Sequence, residues 1–235
     1  MKNNYFQFKK FSVCHAKCAM KVGTDAVLLG AWANVYDDKP ILDVGTGSGI
    51  IALMMAQRFS DNDIVAIDID DGAVEQAKEN FNNSPWRERL MAFKDDFANS
   101  NLIGKAIFGT IVSNPPFFSE QVFSPDCKRN MARRVNMLPT ELFLRNMALC
   151  MHEEAAATII IPFQRVTEVV GMAAINGLFL ARRTDVKTKP GKSPKRTLLE
   201  FRKNIKPTVF SEIVLNNEDN SMSNQYRNLT KNFYL

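Results

Sequence analysis

Apolar runs typical of strands alternate along this chain with longer segments whose apolar residues recur every three or four positions, as in helices. The runs predict strands at 41–44, 64–67, 90–93, 107–113, 155–161, 178–182 and 197–201, and the segments between them predict helices at 50–58, 72–81, 140–151 and 163–175. This alternation predicts an α/β fold with a doubly wound, mostly parallel, seven-stranded sheet. The last two strands form a hairpin across the Pro/Gly/Lys loop 186–195, which adds one late antiparallel strand.

The length and hydrophobic content predict one domain. With 235 residues that are 46% hydrophobic, the chain can bury one substantial core. We expect a core at 39–205, an N-terminal extension at 1–38, and a C-terminal tail at 206–235 that docks on the domain. No apolar run approaches the roughly 20 residues that span a bilayer. Four cysteines without a dense framework favour a reducing cytoplasm.

Positive charge is concentrated in two places. The net charge is +5, but the segment 182–206 alone carries +8, with ten Lys or Arg against two acidic residues. A second basic cluster lies at 128–134. Local positive charge is typical of proteins that bind a polyanion, although a solubilising basic loop is the alternative. The candidate nucleic-acid contacts are Lys128, Arg129, Arg133, Arg134, Lys189, Lys192 and Lys195.

Asn114-Pro115-Pro116-Phe117 ends the fourth predicted strand and suits the methylation of a planar amino nitrogen. Such a nitrogen is a poor nucleophile because its lone pair is delocalised. The Asn114 side-chain oxygen and the Pro115 carbonyl can accept hydrogen bonds from its two N–H groups, which makes the lone pair available. The prolines fix the direction of the backbone there. Phe117 can stack on an extruded base, which is worth roughly 1–3 kcal/mol. The alternative is a plain strand-to-loop turn with a buried aromatic residue.

Asp43-Val44-Gly45-Thr46-Gly47-Ser48-Gly49 follows the first predicted strand and opens a helix. Glycines at such a place let a ligand approach the backbone closely. The spacing Gly-x-Gly-x-Gly departs from the Gly-x-Gly-x-x-Gly of NAD-binding folds. It resembles the first motif of class I, Rossmann-like methyltransferases, which bind S-adenosylmethionine (SAM). That resemblance implies that Gly45, Gly47 and Gly49 pass under the methionine part of SAM and that Asp43 contacts its amino group.

Acidic residues at the next two strand ends extend this cofactor site. Asp68 ends the second strand, where a carboxylate accepts hydrogen bonds from the ribose hydroxyls. Asp70 and Asp71 are alternatives, although acidic residues at a helix N-terminus also have a structural explanation. After the third strand, Asp96 is a candidate for the adenine amino group, preferred over Asp95. Phe97 is placed against the adenine ring, and Asn114 is a further candidate for contact with the cofactor.

Nearly the whole chain resembles the bacterial tRNA1(Val) adenine-N6 methyltransferases. The resemblance rests on Phe-Gln-Phe-Lys-Lys-Phe at 6–11, Met-Lys-Val-Gly-Thr-Asp-Ala-Val-Leu-Leu-Gly-Ala-Trp at 20–32, Ala-Arg-Arg at 132–134, Arg-Thr-Leu-Leu-Glu-Phe at 196–201 and Asn-Phe-Tyr-Leu at 232–235. It implies a monomeric, cytoplasmic enzyme that uses SAM to methylate N6 of adenine 37, beside the anticodon of tRNA1(Val). It also implies that residues 1–38 cover the cofactor and that Thr24 and Asp25 close over it; the alternative for Thr24 and Asp25 is a helix N-cap pair.

The chain departs from this family at three positions and leaves other functions open. Phe117 stands where Tyr is more usual, Gly109 where Asp is, and Arg134 where His is, and we expect these changes to affect substrate orientation more than cofactor binding. The alternatives are a guanine-N2 rRNA methyltransferase, a glutamine-N5 protein methyltransferase and an inactive RNA-binding protein on the same fold. No metal is expected, because Cys14, His15 and Cys18 lack a fourth ligand at matching spacing.

Overall fold

The computed structural model describes residues 4–18, 20–115 and 138–234. A small antiparallel hairpin comes first, made of β1 (Tyr5–Gln7) and β2 (Ser12–Cys14). Eight strands then form one sheet: β3 (Ile41–Val44), β4 (Ile64–Asp68), β5 (Leu90–Lys94), β6 (Phe108–Ser113), β7 (Met151–Pro162), β8 (Phe179–Lys187), β9 (Arg196–Arg202) and β10 (Val209–Val214). Their order across the sheet is β10-β8-β9-β7-β6-β3-β4-β5.

Six α-helices lie in the described part of the chain. They are α1 (Thr24–Trp32), α2 (Ile50–Arg58), α3 (Asp71–Asn82), α4 (Thr140–Cys150), α5 (Val166–Ile175) and α6 (Asn224–Thr230). Asp70 caps α3, since its side chain accepts a hydrogen bond from the Ala73 amide at 2.8 Å. Helix α1 begins differently from the N-cap pair considered above, because its N-cap is Gly23 and no side chain caps it.

The helices cover both faces of the sheet, as the alternation of strands and helices predicts. Successive residues of a strand point to opposite faces. Ile160 of β7 accordingly belongs to the core formed with α1, α2 and α3, whereas its neighbours Ile159 and Ile161 belong to the core formed with α4 and α5. The doubly wound α/β class is therefore confirmed.

The sheet is mostly parallel with one antiparallel strand late in the chain. Strands β3 to β7 pair in parallel, and β9 pairs antiparallel with both β7 and β8. The hairpin across 188–195 is therefore confirmed. One strand more than expected is present, since β10 pairs in parallel with β8. Its residues are exposed or half-buried at the sheet edge, so Val-Phe-Ser-Glu-Ile-Val carries no strong apolar period.

This topology brings several loops to one edge of the sheet. The carboxyl ends of β3, β4, β6 and β7 all meet there, which is where ligands bind in open α/β sheets. The β8–β9 hairpin belongs to the same edge, because Arg196 at the start of β9 pairs with Pro162 at the end of β7. None of the helices that the structure describes combines the length and the apolar character needed to span a membrane.

Candidate active site

The Asn-Pro-Pro-Phe elbow begins directly beside the glycine turn. Ser113, the last residue of β6, pairs with Val44, the last residue of β3. The buried Ser113 hydroxyl donates a hydrogen bond to the Val44 carbonyl at 2.7 Å. Asn114 and Gly45 directly follow these two strands. Paired strands lie about 4.8 Å apart, so the two residues begin side by side. Asn114 and Pro115 are half-buried.

Part of the predicted site lies beyond what the structure describes. Pro116 and Phe117 fall outside the described residues, as do all four basic side chains of the second charge cluster. Those are Lys128, Arg129, Arg133 and Arg134.

The turn after β3 has a backbone that only glycine adopts easily. The φ angles of Gly45, Gly47 and Gly49 are 70°, 55° and 80°, in the left-handed region that disfavours residues with a Cβ. A Cβ at Gly45 or Gly47 would meet nothing within 4 Å, so open space lies against both residues. At Gly49 a Cβ would press on the Phe81 ring at 2.5 Å. The first two glycines thus leave room for a ligand, and the third lets the turn pack on α3.

Asp43 lies inside the protein under this turn. Its side chain has no exposed surface, and its Oδ2 accepts a hydrogen bond from the Thr46 hydroxyl at 2.7 Å. Its Oδ1 has no hydrogen-bond partner among the described residues. Burial raises the pKa of Asp43 to about 7. The structure therefore gives Asp43 a contact with the turn, whereas the family resemblance implies a direct contact with the cofactor.

Asp68 lies at the exposed side of the same turn. Its Oδ2 accepts a hydrogen bond from the Gly47 amide at 2.8 Å, and its Oδ1 accepts one from the Asp70 amide at 3.0 Å. The side chain is half-buried at the end of β4. A carboxylate is thus held against the open part of the glycine turn, which suits a ligand that carries neighbouring hydroxyl groups.

Asp96 and Phe97 have partners within the protein. The Asp96 carboxylate accepts hydrogen bonds from the Ala98 amide and the Asn99 side chain, each at 3.0 Å. Phe97 is 5% exposed and packs edge-on against Phe143 at 5.7 Å between ring centroids. The structure therefore places the Phe97 ring in the core, where it offers little surface to an adenine ring.

Thr24 and Asp25 form the first turn of α1 near the carboxyl edge of the sheet. The Asp25 carboxylate pairs with Arg196 of β9 at 2.8 Å. This ion pair joins the N-terminal helix to the β8–β9 hairpin. The position of Asp25 is thus set by a residue 171 positions away in the chain.

The three predicted lysines surround a polar cavity at the tip of the β8–β9 hairpin. Lys189, Lys192 and Lys195 line it, and its volume is about 620 Å³. Lys192 and Lys195 are exposed, whereas the Lys189 ammonium donates a hydrogen bond to the Glu218 carbonyl at 3.0 Å.

The register of the strands shows where this hairpin lies relative to Asn114. Ser113 of β6 lies level with Ile159 of β7, and the hairpin begins three residues further along β7. The lysines therefore lie beyond the edge that carries Asn114.

Sequence reasoning missed two asparagines that hold the site in place. Asn146 of α4 donates a hydrogen bond to the Phe97 carbonyl at 2.7 Å, which fixes the backbone next to Asp96. Asn80 of α3 donates one to the Ser48 carbonyl at 2.8 Å, within the glycine turn. A single asparagine within a helical pattern gives no sequence signal for such a contact. Within the described residues, no group of three or more His, Cys, Asp or Glu could hold a metal ion.

The described fold has the architecture of the Rossmann-like methyltransferases, and the comparisons with known proteins agree with it. The methyltransferase small domain family matches residues 11–139, which is more than half of the chain. A solved structure described as a predicted O-methyltransferase from Agrobacterium tumefaciens superposes with a TM-score of 0.71, at 16% identity, over 89% of this chain and 96% of that one. At that identity the likeness concerns the fold alone.

Sequence relatives give a narrower family. The tRNA1(Val) (adenine(37)-N6)-methyltransferase of Bacteroides thetaiotaomicron is 44% identical, and the alignment covers 100% of this chain and 99% of the relative. The enzyme of the same name from Phocaeicola vulgatus is 42% identical with the same coverage. The chain belongs to the tRNA1(Val) (adenine(37)-N6)-methyltransferase family.

Proposed function

We propose that this protein transfers a methyl group from SAM to N6 of adenine 37 in tRNA1(Val). The observation that carries the proposal is the strand register that sets Asn114 beside the open glycine turn. The elbow and the turn must be neighbours if an amine held by the first is to meet a methyl group held by the second. Family membership supports the choice of substrate.

The residues of the turn fit the proposed cofactor. Gly45 and Gly47 leave open space against the backbone, where the methionine part of SAM would lie. Asp68 would accept hydrogen bonds from the ribose hydroxyls, and Asp96 would accept one from the adenine amino group. When bound, SAM supplies a sulfonium centre with an electrophilic methyl group. Asp43 would act through the turn, since its carboxylate is buried against Thr46.

Asn114 and Pro115 would activate the substrate amine. The Asn114 Oδ1 and the Pro115 carbonyl would accept hydrogen bonds from its two N–H groups, so that the nitrogen lone pair becomes available for attack. The hydrogen bond from Ser113 to Val44 fixes the end of β6, and therefore the direction of both acceptors relative to the turn. Catalysis would come mainly from this positioning. The methylated ammonium product is acidic enough to lose its proton to water, so no general base is required.

The base would stack on Phe117 after it is flipped out of the anticodon loop. Lys189, Lys192 and Lys195 would contact tRNA phosphates at the same edge of the sheet, together with the basic residues at 128–134. We further propose that the protein acts as a monomer in the cytoplasm, with residues 1–38 and the Thr24–Asp25 turn closing over the cofactor.

The experiment is a methylation assay with labelled SAM and bulk tRNA, followed by nucleoside analysis. The wild-type protein should produce N6-methyladenosine at position 37. Asn114→Ala should lower the rate by about 10²–10³-fold, as expected when one preorganised hydrogen-bonding group is removed. Its dissociation constant for SAM should stay within about twofold, because Asn114 contacts the amine.

The exposed Asn82, at the end of α3, provides a matched control. Asn82→Ala should leave both quantities unchanged. Equal losses of methyl transfer and SAM affinity in Asn114→Ala would contradict the role given to Asn114. A methylated guanosine as the product would contradict the choice of base.

A further inference from the structure

Helix α3 holds the N-terminal segment along one of its faces. Gly72, Gln76 and Asn80 are four residues apart and therefore lie on the same face of the helix. A Cβ at Gly72 would come within 2.7 Å of the Lys17 carbonyl, so only glycine lets the segment pack this closely. The Lys17 amide donates a hydrogen bond to Gln76 Oε1 at 3.1 Å. The segment 14–18 thus runs along α3 towards the helix start, next to Asp68.

Asn80 bonds the N-terminal segment and the glycine turn at once. Its Oδ1 accepts a hydrogen bond from the Cys14 amide at 2.9 Å, and its Nδ2 donates to the Cys14 carbonyl at 2.8 Å. The same Nδ2 donates to the Ser48 carbonyl at 2.8 Å. The side chain is 3% exposed. If it were removed, its backbone partners would have little access to water as a replacement hydrogen-bond partner.

The turn also rests on the residue that follows Asn80. The ring of Phe81 lies where a Cβ of Gly49 would be. Two successive residues of α3 therefore support the turn. Asn80 donates a hydrogen bond to Ser48, and Phe81 packs against Gly49. Glycine adopts many backbone conformations without strain, so these two contacts favour the one that the turn takes here.

We propose that Asn80 is a positioning residue that locks the N-terminal segment to the glycine turn, so that SAM binds to the two as one unit. The proposal rests on the cofactor assigned above and adds a residue that does not touch the cofactor itself. Ordering of segment 14–18 and binding of SAM then favour each other, because both depend on the same three hydrogen bonds.

The surroundings of Cys18 agree with this arrangement. Burial raises the pKa of its thiol to about 11, and the negative charges of Asp68 and Asp70 contribute to the rise. The end of the segment therefore lies within electrostatic reach of the carboxylate proposed to bind the ribose.

The test begins with the SAM dissociation constant, measured by calorimetry without RNA. Asn80→Ala should raise it about tenfold, because buried groups of the turn and the segment lose their partner. At saturating SAM the catalytic rate constant should change by less than about threefold, since the reacting groups are untouched. Because RNA is absent from the binding measurement, a failure of the proposed substrate would leave this result interpretable.

Asn62 offers a closely matched control. It is also 3% exposed, and its Nδ2 also donates to two backbone carbonyls, those of Asp37 and Lys39 at 2.9 and 2.8 Å. It lies just before β4, at the opposite edge of the sheet. Asn62→Ala should lower the melting temperature but leave SAM affinity unchanged. Equal losses of SAM affinity in the two variants would overturn the proposal.

Gln76→Ala tests whether the segment itself matters. This variant loosens the segment at Lys17 and removes no contact with the turn. It should raise the SAM dissociation constant by about threefold in the wild-type background and by less in Asn80→Ala, since coupled sites are not additive. No effect of Gln76→Ala, or effects that multiply in the double variant, would contradict the coupling.

Hydrogen exchange of the wild-type protein provides a measurement that needs no variant to fold. The amides of Cys14 and Lys17 are bonded to Asn80 and Gln76. SAM should slow their exchange by at least about fivefold if the segment and the turn form one unit. Unchanged exchange at both amides in the presence of SAM would overturn the proposal.

Discussion

Asp43 is the residue whose chemistry the fold changes most clearly. Burial raises its pKa, the charge of Asp68 adds to the rise, and the hydrogen bond from the Thr46 hydroxyl opposes it. With a pKa of about 7, the carboxyl group changes its charge near neutral pH, directly under the turn proposed to bind the cofactor.

Replacement of this carboxyl group should change how stability depends on pH. The pKa of the folded state lies above the ordinary value of 3.8, so the folded protein binds the proton more tightly than the unfolded chain. This contribution to stability is present below about pH 4 and is lost as the pH rises through about 7. Asp43→Asn has no such loss. Relative to wild type, its free energy of unfolding should therefore rise by more than about 1 kcal/mol between pH 5 and pH 7.5.

Urea unfolding at several pH values measures this difference. Asp63→Asn serves as the control, because Asp63 is an exposed carboxyl group at the opposite edge of the sheet. Parallel stability curves for Asp43→Asn and wild type would show that the fold does not hold the Asp43 proton as described.

Among the elements, the start of β6 shows how the chain accommodates a departure from its family. Gly109 stands where the family more often has Asp, a change that we expected to affect substrate orientation. Gly109 is the second residue of β6, at the end of the strand opposite Asn114, and its amide donates to the Pro40 carbonyl at 3.1 Å. A Cβ at Gly109 would overlap the Asp37 carboxylate. The carboxylate of Asp37, from the loop between α1 and β3, thus fills this place.

Gly109→Ala should therefore destabilise the protein by about 1 kcal/mol, because the methyl group displaces the half-buried Asp37 carboxylate, which accepts a hydrogen bond from the Lys39 amide. Asp37→Ala should restore part of that loss in the double variant. Gly171 in α5 is the matched control, because a Cβ there meets nothing within 4 Å. Gly171→Ala should stabilise by up to about 1 kcal/mol. Urea unfolding gives the free energy of unfolding of the wild type, the two glycine variants and the double variant. Equal effects of Gly109→Ala and Gly171→Ala would contradict the overlap at Gly109.

Across the whole molecule, tertiary contacts redistribute the charge that the sequence concentrates at 182–206. Six of the ten basic side chains in this segment pair with carboxylates, several of them from distant parts of the chain. The pairs are Arg182 and Arg202 with Glu200, Arg183 with Asp185, Lys187 with Glu212, Arg196 with Asp25, and Lys203 with Glu153. Among the described residues, no carboxylate pairs with Lys192 or Lys195. Lys192 and Lys195 at the hairpin tip therefore keep positive charges that no carboxylate of the described residues neutralises.

Charge reversal at the tip should weaken tRNA binding and reduce its dependence on salt. For Lys192→Glu or Lys195→Glu, the slope of log affinity against log salt should become shallower by about 0.7–0.9 for each lost phosphate contact. Lys105→Glu is the control, because Lys105 is exposed just before β6, at the opposite edge. Filter binding of tRNA at several salt concentrations measures these slopes. A slope that changes as much in the control would place the interface elsewhere.

The sequence alone determined the order of strands and helices along the chain, the mostly parallel sheet, and the shared edge at which the turn and the elbow lie. These features follow from local patterns, since apolar period, glycine spacing and prolines act within a few residues. Ser113 and Val44 end their strands in sequence, and a parallel sheet brings those ends to the same edge. The structure then decides that β6 lies directly beside β3. The glycines also carry local information, because the φ values of Gly45 and Gly47 are a property of the turn itself.

Only the tertiary structure decided which side chains are already bonded to another part of the protein. Asp25 meets Arg196, Phe97 turns into the core against Phe143, and Asn80 joins the segment to the turn. Strand β10 likewise forms because β8 offers an edge, not because its own sequence has a strong period. Each of these contacts joins residues far apart in the chain, and local patterns carry no record of the partner.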